Sequence, residues 1–265
     1  MQVFDVICEQ ARAIEAGKAH AVLTITHSDG STPRTGGKML VYADGQTLGT
    51  IGGGAVEQMA IADALECIRR DRGGLRDYQL TADGNTGMIC GGSMKVLLEV
   101  FNPRPLLVMC GAGHVGGAVL QCARFLGFQT LLVDDRAPEL IGDKIALADS
   151  FRRVEDYEKE LPALEIPAGA CIVIATPGHG KDKEALAAAL HLQSAYLGMI
   201  GSRRKVAAVY EQLRQDGVTA EILEIVRAPI GLDLGGETPE EIALSIMAEI
   251  QTVRNGRSGR PMSEK

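Results

Sequence analysis

Tryptophan is absent from the 265-residue chain and aromatic residues make up 4% of it. Little material is therefore available for the shaped, water-poor pocket that a hydride-transfer enzyme builds around its substrate. No CxxC pair occurs, and six cysteines (Cys8, Cys67, Cys90, Cys110, Cys122, Cys171) are scattered along the chain. This spacing suits reduced thiols in a reducing compartment better than a disulfide framework or a zinc site. Nowhere do eighteen apolar residues run together, and the opening MQVFDVICEQ carries Asp5 and Glu9 where a secretory leader is basic and then apolar. A basic excess is also missing: the net charge is −7 and the isoelectric point about 5.3. Counterion release needs clustered Lys and Arg, so a nucleic acid or an anionic membrane is not an expected partner. The expectation is a soluble, cytoplasmic protein.

What is present is glycine, 32 residues of it, within a chain that is 46% apolar. The glycines fall at turns, with no low-complexity tract, and the length suggests two domains. From Val3 to Lys18, Val3, Ile7, Ala11 and Ile14 recur at helical spacing, with Gly17 as a stop. AVLTITHS reads as a strand, DGSTPRTGG as a loop, and KMLVYADGQTLGTI as a hairpin turning at Asp44-Gly45. The triplet Gly52, Gly53, Gly54 leads into a helix that ends in basic residues and glycine. LRDYQLT and MKVLLEV are two more strands, joined by a loop containing Cys90, Gly91 and Gly92. Residues 1–101 thus form a small α/β domain. The linker is Asn102-Pro103-Arg104-Pro105, because two prolines in four residues block helix and ladder alike.

Residues 102–255 alternate apolar strands with helices, the pattern of a parallel sheet covered on both faces, a Rossmann-like doubly wound fold. The strands are LLVMCG, TLLVDD, one near 151–154, CIVIAT and AYLGMIG; the helices are 114–126, one near 157–164, 183–192 and 203–215. A last helix, TPEEIALSIMAEIQTV, has Thr238 as cap, Pro239 in the first turn, Glu241 to complete a capping box, and Ile242, Ile246, Ile250 and Val253 on one face. Residues 256–265 read as a mobile tail.

CGAGHVGG carries GxGxxG as Gly111, Gly113 and Gly116 between a strand and a helix, with His114 opening that helix. The next strand ends in Asp134, where a carboxylate can bond a ribose 2′-hydroxyl. Arg136 could admit a 2′-phosphate instead, an option that Asp134 opposes. Two later loops should reach the same rim: TPGHGKD with Thr176, His179 and Asp182, and GSRRK with Gly201, Ser202, Arg203 and Lys205. GSRRK reads either as an anion holder or as an exposed helix start, and His179 as a functional group or a backbone-capping loop residue.

Together these motifs resemble the XdhC/CoxI accessory proteins that serve molybdenum hydroxylases. The resemblance rests on GSTPRTGGKMLV, GTIGGGAVE and GMICGGSMKV in the first half, and on GAGHVGGAV, VDDR, YLGMIGSRRK and IGLDLGGETPEEIALSIMAEI in the second. It implies a maturation chaperone that binds the molybdenum cofactor, a molybdopterin with or without an attached nucleotide, while the metal acquires a terminal sulfur. The implied partners are a molybdenum hydroxylase apo-enzyme, such as xanthine dehydrogenase, and a cysteine desulfurase. Members often read THxHxxD after the fourth strand; here Pro177 replaces the first histidine. A pterin cofactor carries phosphate, for which the glycine loops would supply backbone N–H nests. Arg34 would add a charge-assisted contact, and Glu57 would cap those amides or read pterin N–H groups. Cys90 is then the metal-facing thiolate, against the alternative of a small residue filling a turn. Glycine turns from both halves are expected to face one cleft, and a homodimer would shield the cargo. The rival readings are an NAD(P)-dependent oxidoreductase, with His179 or Lys181 as proton donor, and a non-catalytic interaction module.

Overall fold

The computed structural model describes residues 3–30, 36–79, 92–177 and 179–264, the side chain of His179 excepted. The chain divides into two compact units, 1–103 and 104–265. The first opens with helix α1 (Val3–Glu15), followed by strands β1 (His20–Gly30), β2 (Lys38–Tyr42) and β3 (Thr47–Thr50), helix α2 (Gly54–Arg69), and strands β4 (Gly74–Gln79) and β5 (Gly92–Phe101). The strands make one antiparallel sheet in the order β3-β2-β1-β5-β4. Alternate residues of a strand point to opposite faces. Ala21, Leu23, Met39, Val41, Val96 and Leu98 accordingly pack with Val56, Ala60, Ala64 and Cys67 of α2. Val22 and Leu40 meet Val6 of α1 on the other side.

The spacing that locates α1 does not locate its buried side. Val6 and Ala13 are buried, whereas Val3, Ile7 and Ile14 lie about half exposed. The helix is held by Val6 and also by the Tyr42 hydroxyl, which donates to the Glu9 carboxylate at 2.7 Å. The hairpin turn falls where Asp44-Gly45 predicts it: Gly45 has φ +86° and Gln46 N–H donates to the Asp44 carboxylate.

The second unit runs β6 (Leu106–Cys110), α3 (His114–Phe125), β7 (Gln129–Asp134), α4 (Pro138–Ile145), β8 (Ser150–Arg153), α5 (Tyr157–Glu160), β9 (Cys171–Ile174), α6 (His179–Ala189), β10 (Tyr196–Met199), α7 (Arg203–Gln215), α8 (Ala220–Leu223) and α9 (Pro239–Arg254). All five strands are parallel, in the order β10-β9-β6-β7-β8. The chain winds outward from β6 through β7 to β8, then crosses back to β9 and β10, so the switch point lies between β6 and β9. Leu107, Met109, Leu132 and Val173 pack on one face against Val119 and Leu120 of α3 and Ile246 and Met247 of α9. Val108, Val133, Ile172 and Ile174 pack on the other against Leu186 of α6 and Val209 and Leu213 of α7. This is a doubly wound, Rossmann-like sheet.

The capping box of α9 forms as predicted, with Thr238 accepting from Glu241 N–H and Glu241 accepting from Thr238 N–H. Two helices were not foreseen, α4 and α8. Helix α6 begins at His179 and ends at Ala189, earlier at both ends than the apolar spacing suggested. Among the described residues no helix is long and apolar enough to cross a membrane.

Candidate functional site

Beyond the carboxyl ends of β6 and β9 lies an open cleft of about 540 Å³, the place where sheets of this topology bind ligands. The turn from β6 into α3 forms its floor. Gly111 has φ +113°, a conformation L side chains rarely adopt. A Cβ there would stand 2.2 Å from the Ala175 carbonyl oxygen, and one on Gly116 would stand 2.1 Å from that of Gly111. Packing therefore demands glycine at both positions.

Gly113 is different. Its φ is −76°, open to any residue, and an added Cβ would meet nothing within 4 Å. The protein itself does not require glycine at this position. No side chain caps α3, so its first-turn amides are left to solvent or to a ligand. Exposed His114 and half-buried Val115 continue that wall. The cleft is also lined by Arg136, Leu140, Ile141, Asp143 and Lys144, and by Ala175, Thr176, Pro177 and Ile200.

The structure alters the expectation for Asp134. Its carboxylate is fully buried and accepts four hydrogen bonds. Oδ2 takes Ala112 N–H at 2.6 Å and Arg136 Nη2 at 2.8 Å, while Oδ1 takes Arg136 N–H at 2.9 Å and Arg136 Nε at 2.8 Å. Burial alone would raise its pKa, but the Arg136 side chain and the two backbone donors outweigh that and hold it below the usual carboxylate value. No acceptor position remains for a ribose hydroxyl.

The two later loops are tied to one another. Thr176 donates through N–H (2.9 Å) and Oγ1 (2.6 Å) to Oδ1 of buried Asp182, whose Oδ2 pairs with Lys205. Ser202 caps α7 by accepting from Lys205 N–H. Gly201 lies against the Lys205 side chain. GSRRK thus opens α7, with Ser202 as its cap and Lys205 held by Asp182. Thr176 alone of these residues lines the cleft; Arg203 lines a separate groove with Tyr210, Arg214 and Pro229. His179 opens α6.

In the first unit, Gly52, Gly53 and Gly54 have φ +134°, +79° and +68°. Glu57 turns back from the first turn of α2 and takes Thr50 Oγ1 at 2.5 Å and the N–H groups of Ile51 and Gly53 at 3.0 Å each. Of its two predicted roles Glu57 performs the capping one. Gly92 pairs with Gly30 at the end of the β1–β5 ladder. Arg34, Cys90 and Gly91 lie outside the described residues. Of the other cysteines, Cys67, Cys110 and Cys171 are buried, while Cys8 and Cys122 are only partly so. Burial pushes the Cys110 thiol up to about 12 and Cys171 to about 11, which makes them inert packing groups. Among the described residues no group of three His, Cys, Asp or Glu is placed to hold a metal ion.

Sequence reasoning raised Arg136 and set it aside in favour of Asp134, although both line up in VDDR, and it missed Lys144, which stands on the unforeseen helix α4.

The second unit is thus a doubly wound α/β domain whose switch-point cleft holds an uncapped helix start, Arg136 and Lys144. The chain belongs to the XdhC and CoxI family: residues 107–250 match the XdhC Rossmann domain and residues 13–79 match the XdhC and CoxI family proper. It is 37% identical over 257 residues to the uncharacterized protein YqeB of Escherichia coli, covering 96% of this chain and 47% of that protein. The chain therefore spans about half the length of that relative. It is 24% identical over 276 residues to the molybdenum cofactor insertion chaperone PaoD of Escherichia coli, covering 91% of this chain and 86% of PaoD. A solved structure described as a xanthine dehydrogenase from Bacillus halodurans shares the fold with a TM-score of 0.52 at 19% identity, covering 97% of this chain and 98% of that one.

Proposed function

We propose that this chain binds the molybdenum cofactor and assists its insertion into a molybdenum hydroxylase, with the cleft beyond β6 and β9 receiving the cofactor's phosphate or pyrophosphate. The observation that carries this reading is Gly113, a glycine that neither backbone conformation nor packing requires, at the uncapped start of α3. Helix N-termini with exposed amides favour anions, and a residue without a side chain lets a phosphate approach the backbone closely. Arg136, Lys144 and His114 line the same cleft and add positive or donor groups. The phosphate end of a pterin cofactor fits this donor set.

The similarity to PaoD, a molybdenum cofactor insertion chaperone, supports the choice of cargo. When bound, the cofactor would supply the molybdenum centre; the chain's own task is to bind its anionic end, orient it and release it to the hydroxylase. In this reading Cys90 is the thiolate that faces the metal, a cysteine desulfurase is the sulfur source, and the carrier acts as a homodimer in the cytoplasm.

The test is mass spectrometry of ligand released from protein purified out of cells that make the cofactor, alongside titration with pterin cofactor, NADH and NADPH. Co-purified pterin and tight pterin binding are expected. Tight nicotinamide binding with turnover would replace the proposal with an oxidoreductase, and no ligand of either kind with an interaction module.

A further inference from the structure

The fold's ribose-reading carboxylate is spent inside the protein. Asp134 is fully buried, and a carboxylate offers about four acceptor positions, all taken here by Ala112 N–H and three donors of Arg136. A ribose diol would have to displace Arg136 and leave a buried charge unpaired, which is strongly unfavourable. What this corner offers a ligand is therefore a cation. The Arg136 side chain remains 32% exposed and lines the cleft. Nε and one Nη2 hydrogen are spent on Asp134, so among the described residues the Nη1 donors and the second Nη2 hydrogen remain.

Lys144 lines the same cleft with its side chain 23% exposed. Its partner is the neighbouring Asp143, whose side chain is 71% exposed. Such a surface pair is weak and readily exchanged for a better anion. The bidentate grip of Asp134 fixes the guanidinium plane before any ligand arrives, which lowers the ordering cost of binding.

We infer that Arg136, seated on Asp134, makes this cleft a reader of a phosphomonoester group in place of the ribose diol that the glycine fingerprint ordinarily implies. Two sources carry that chemistry: the 2′-phosphate of a nucleotide and the terminal phosphate of a pterin cofactor. The inference rests on the proposed function only for the location of the site.

The test is calorimetric titration of the full chain with 2′,5′-ADP and with AMP, two probes that differ by one 2′-phosphate. Wild type should bind 2′,5′-ADP at least about tenfold more tightly, the scale of one charge-assisted contact. Arg136→Gln should bring the ratio close to one. Arg136→Lys, which keeps the charge and loses the fork, should bind 2′,5′-ADP several-fold more weakly than wild type. Should Arg136→Gln fail to fold because Asp134 loses its partner, the wild-type ratio and Arg136→Lys decide the matter. Equal affinity for the two probes in wild type, or an unchanged ratio in a folded Arg136→Gln protein, overturns the inference.

Competition separates the sources. Displacement of bound 2′,5′-ADP by pterin cofactor assigns the position to the cofactor's phosphate. Displacement by NADP⁺ and not by pterin cofactor assigns it to a nucleotide, in which case the inference stands and the cofactor reading of the cleft falls.

Discussion

The two glycine turns look alike in sequence and differ in what satisfies their amides. Both follow a strand and open a helix, and both use positive φ angles, at Gly52 to Gly54 in one case and Gly111 in the other. In the first, the helix sends Glu57 back to accept from the turn amides of Ile51 and Gly53, while no side chain caps α2 itself. In the second, helix α3 is likewise without a side-chain cap, but its first turn carries no acidic residue to stand against an incoming anion. A glycine-rich strand-to-helix turn is therefore not a binding site by virtue of its glycines. What separates the two uncapped helices is charge: Glu57 places a carboxylate at the start of α2, which opposes an anion, and the first turn of α3 has none.

Substitutions test this contrast at different strengths. The largest effect is expected from Gly116→Ala, whose Cβ would stand 2.1 Å from the Gly111 carbonyl oxygen. The backbone must shift, and a loss of about 3 kcal/mol should appear in chemical denaturation of the second unit. Next is Glu57→Ala, which strands two backbone donors and the Thr50 hydroxyl. A cost of about 2 kcal/mol is expected, since each unsatisfied part-buried group is worth roughly 1 kcal/mol or more. Chemical denaturation of the full chain checks it.

Acid gives a smaller effect. Asp134 is held below its unfolded value, so its contribution is fully present above the unfolded pKa of about 4 and is lost as pH falls through the folded value. Denaturation followed from pH 6 to pH 3 should show that decline, and Asp134→Asn should flatten part of it. The smallest effect on stability is expected from Gly113→Ala, within about 0.5 kcal/mol of wild type because φ is −76° and no atom lies in the way.

Much of this architecture was legible in sequence because apolar strands and capped helices announce themselves. The alternation in AVLTI, the Asp44-Gly45 turn and the Thr238 capping box all fold as their local chemistry dictates. Helix α4 was not legible: it is short, its backbone departs from helical geometry at Ile141, and only Pro138 at its start signalled it. Because α4 carries Lys144, half of the cleft's positive character went unseen. The buried side of α1 was not legible because apolar spacing reports periodicity, not which side meets the sheet; Val6 and a polar contact, Tyr42 with Glu9, fix that. The fingerprint located the cleft but not its sign. Asp134 and Arg136 are both visible in VDDR, yet it is the fold that turns the Arg136 fork back onto the acid.

The most direct test of the central claim pairs two readings on one variant, Gly113→Ala: its melting curve and its affinity for the pterin cofactor. Melting should coincide with wild type while affinity falls by about tenfold or more, the penalty for pushing a methyl group between a phosphate and the helix amides it would approach. Unchanged affinity in the folded variant would contradict the account, because the anion would then bind somewhere other than the start of α3.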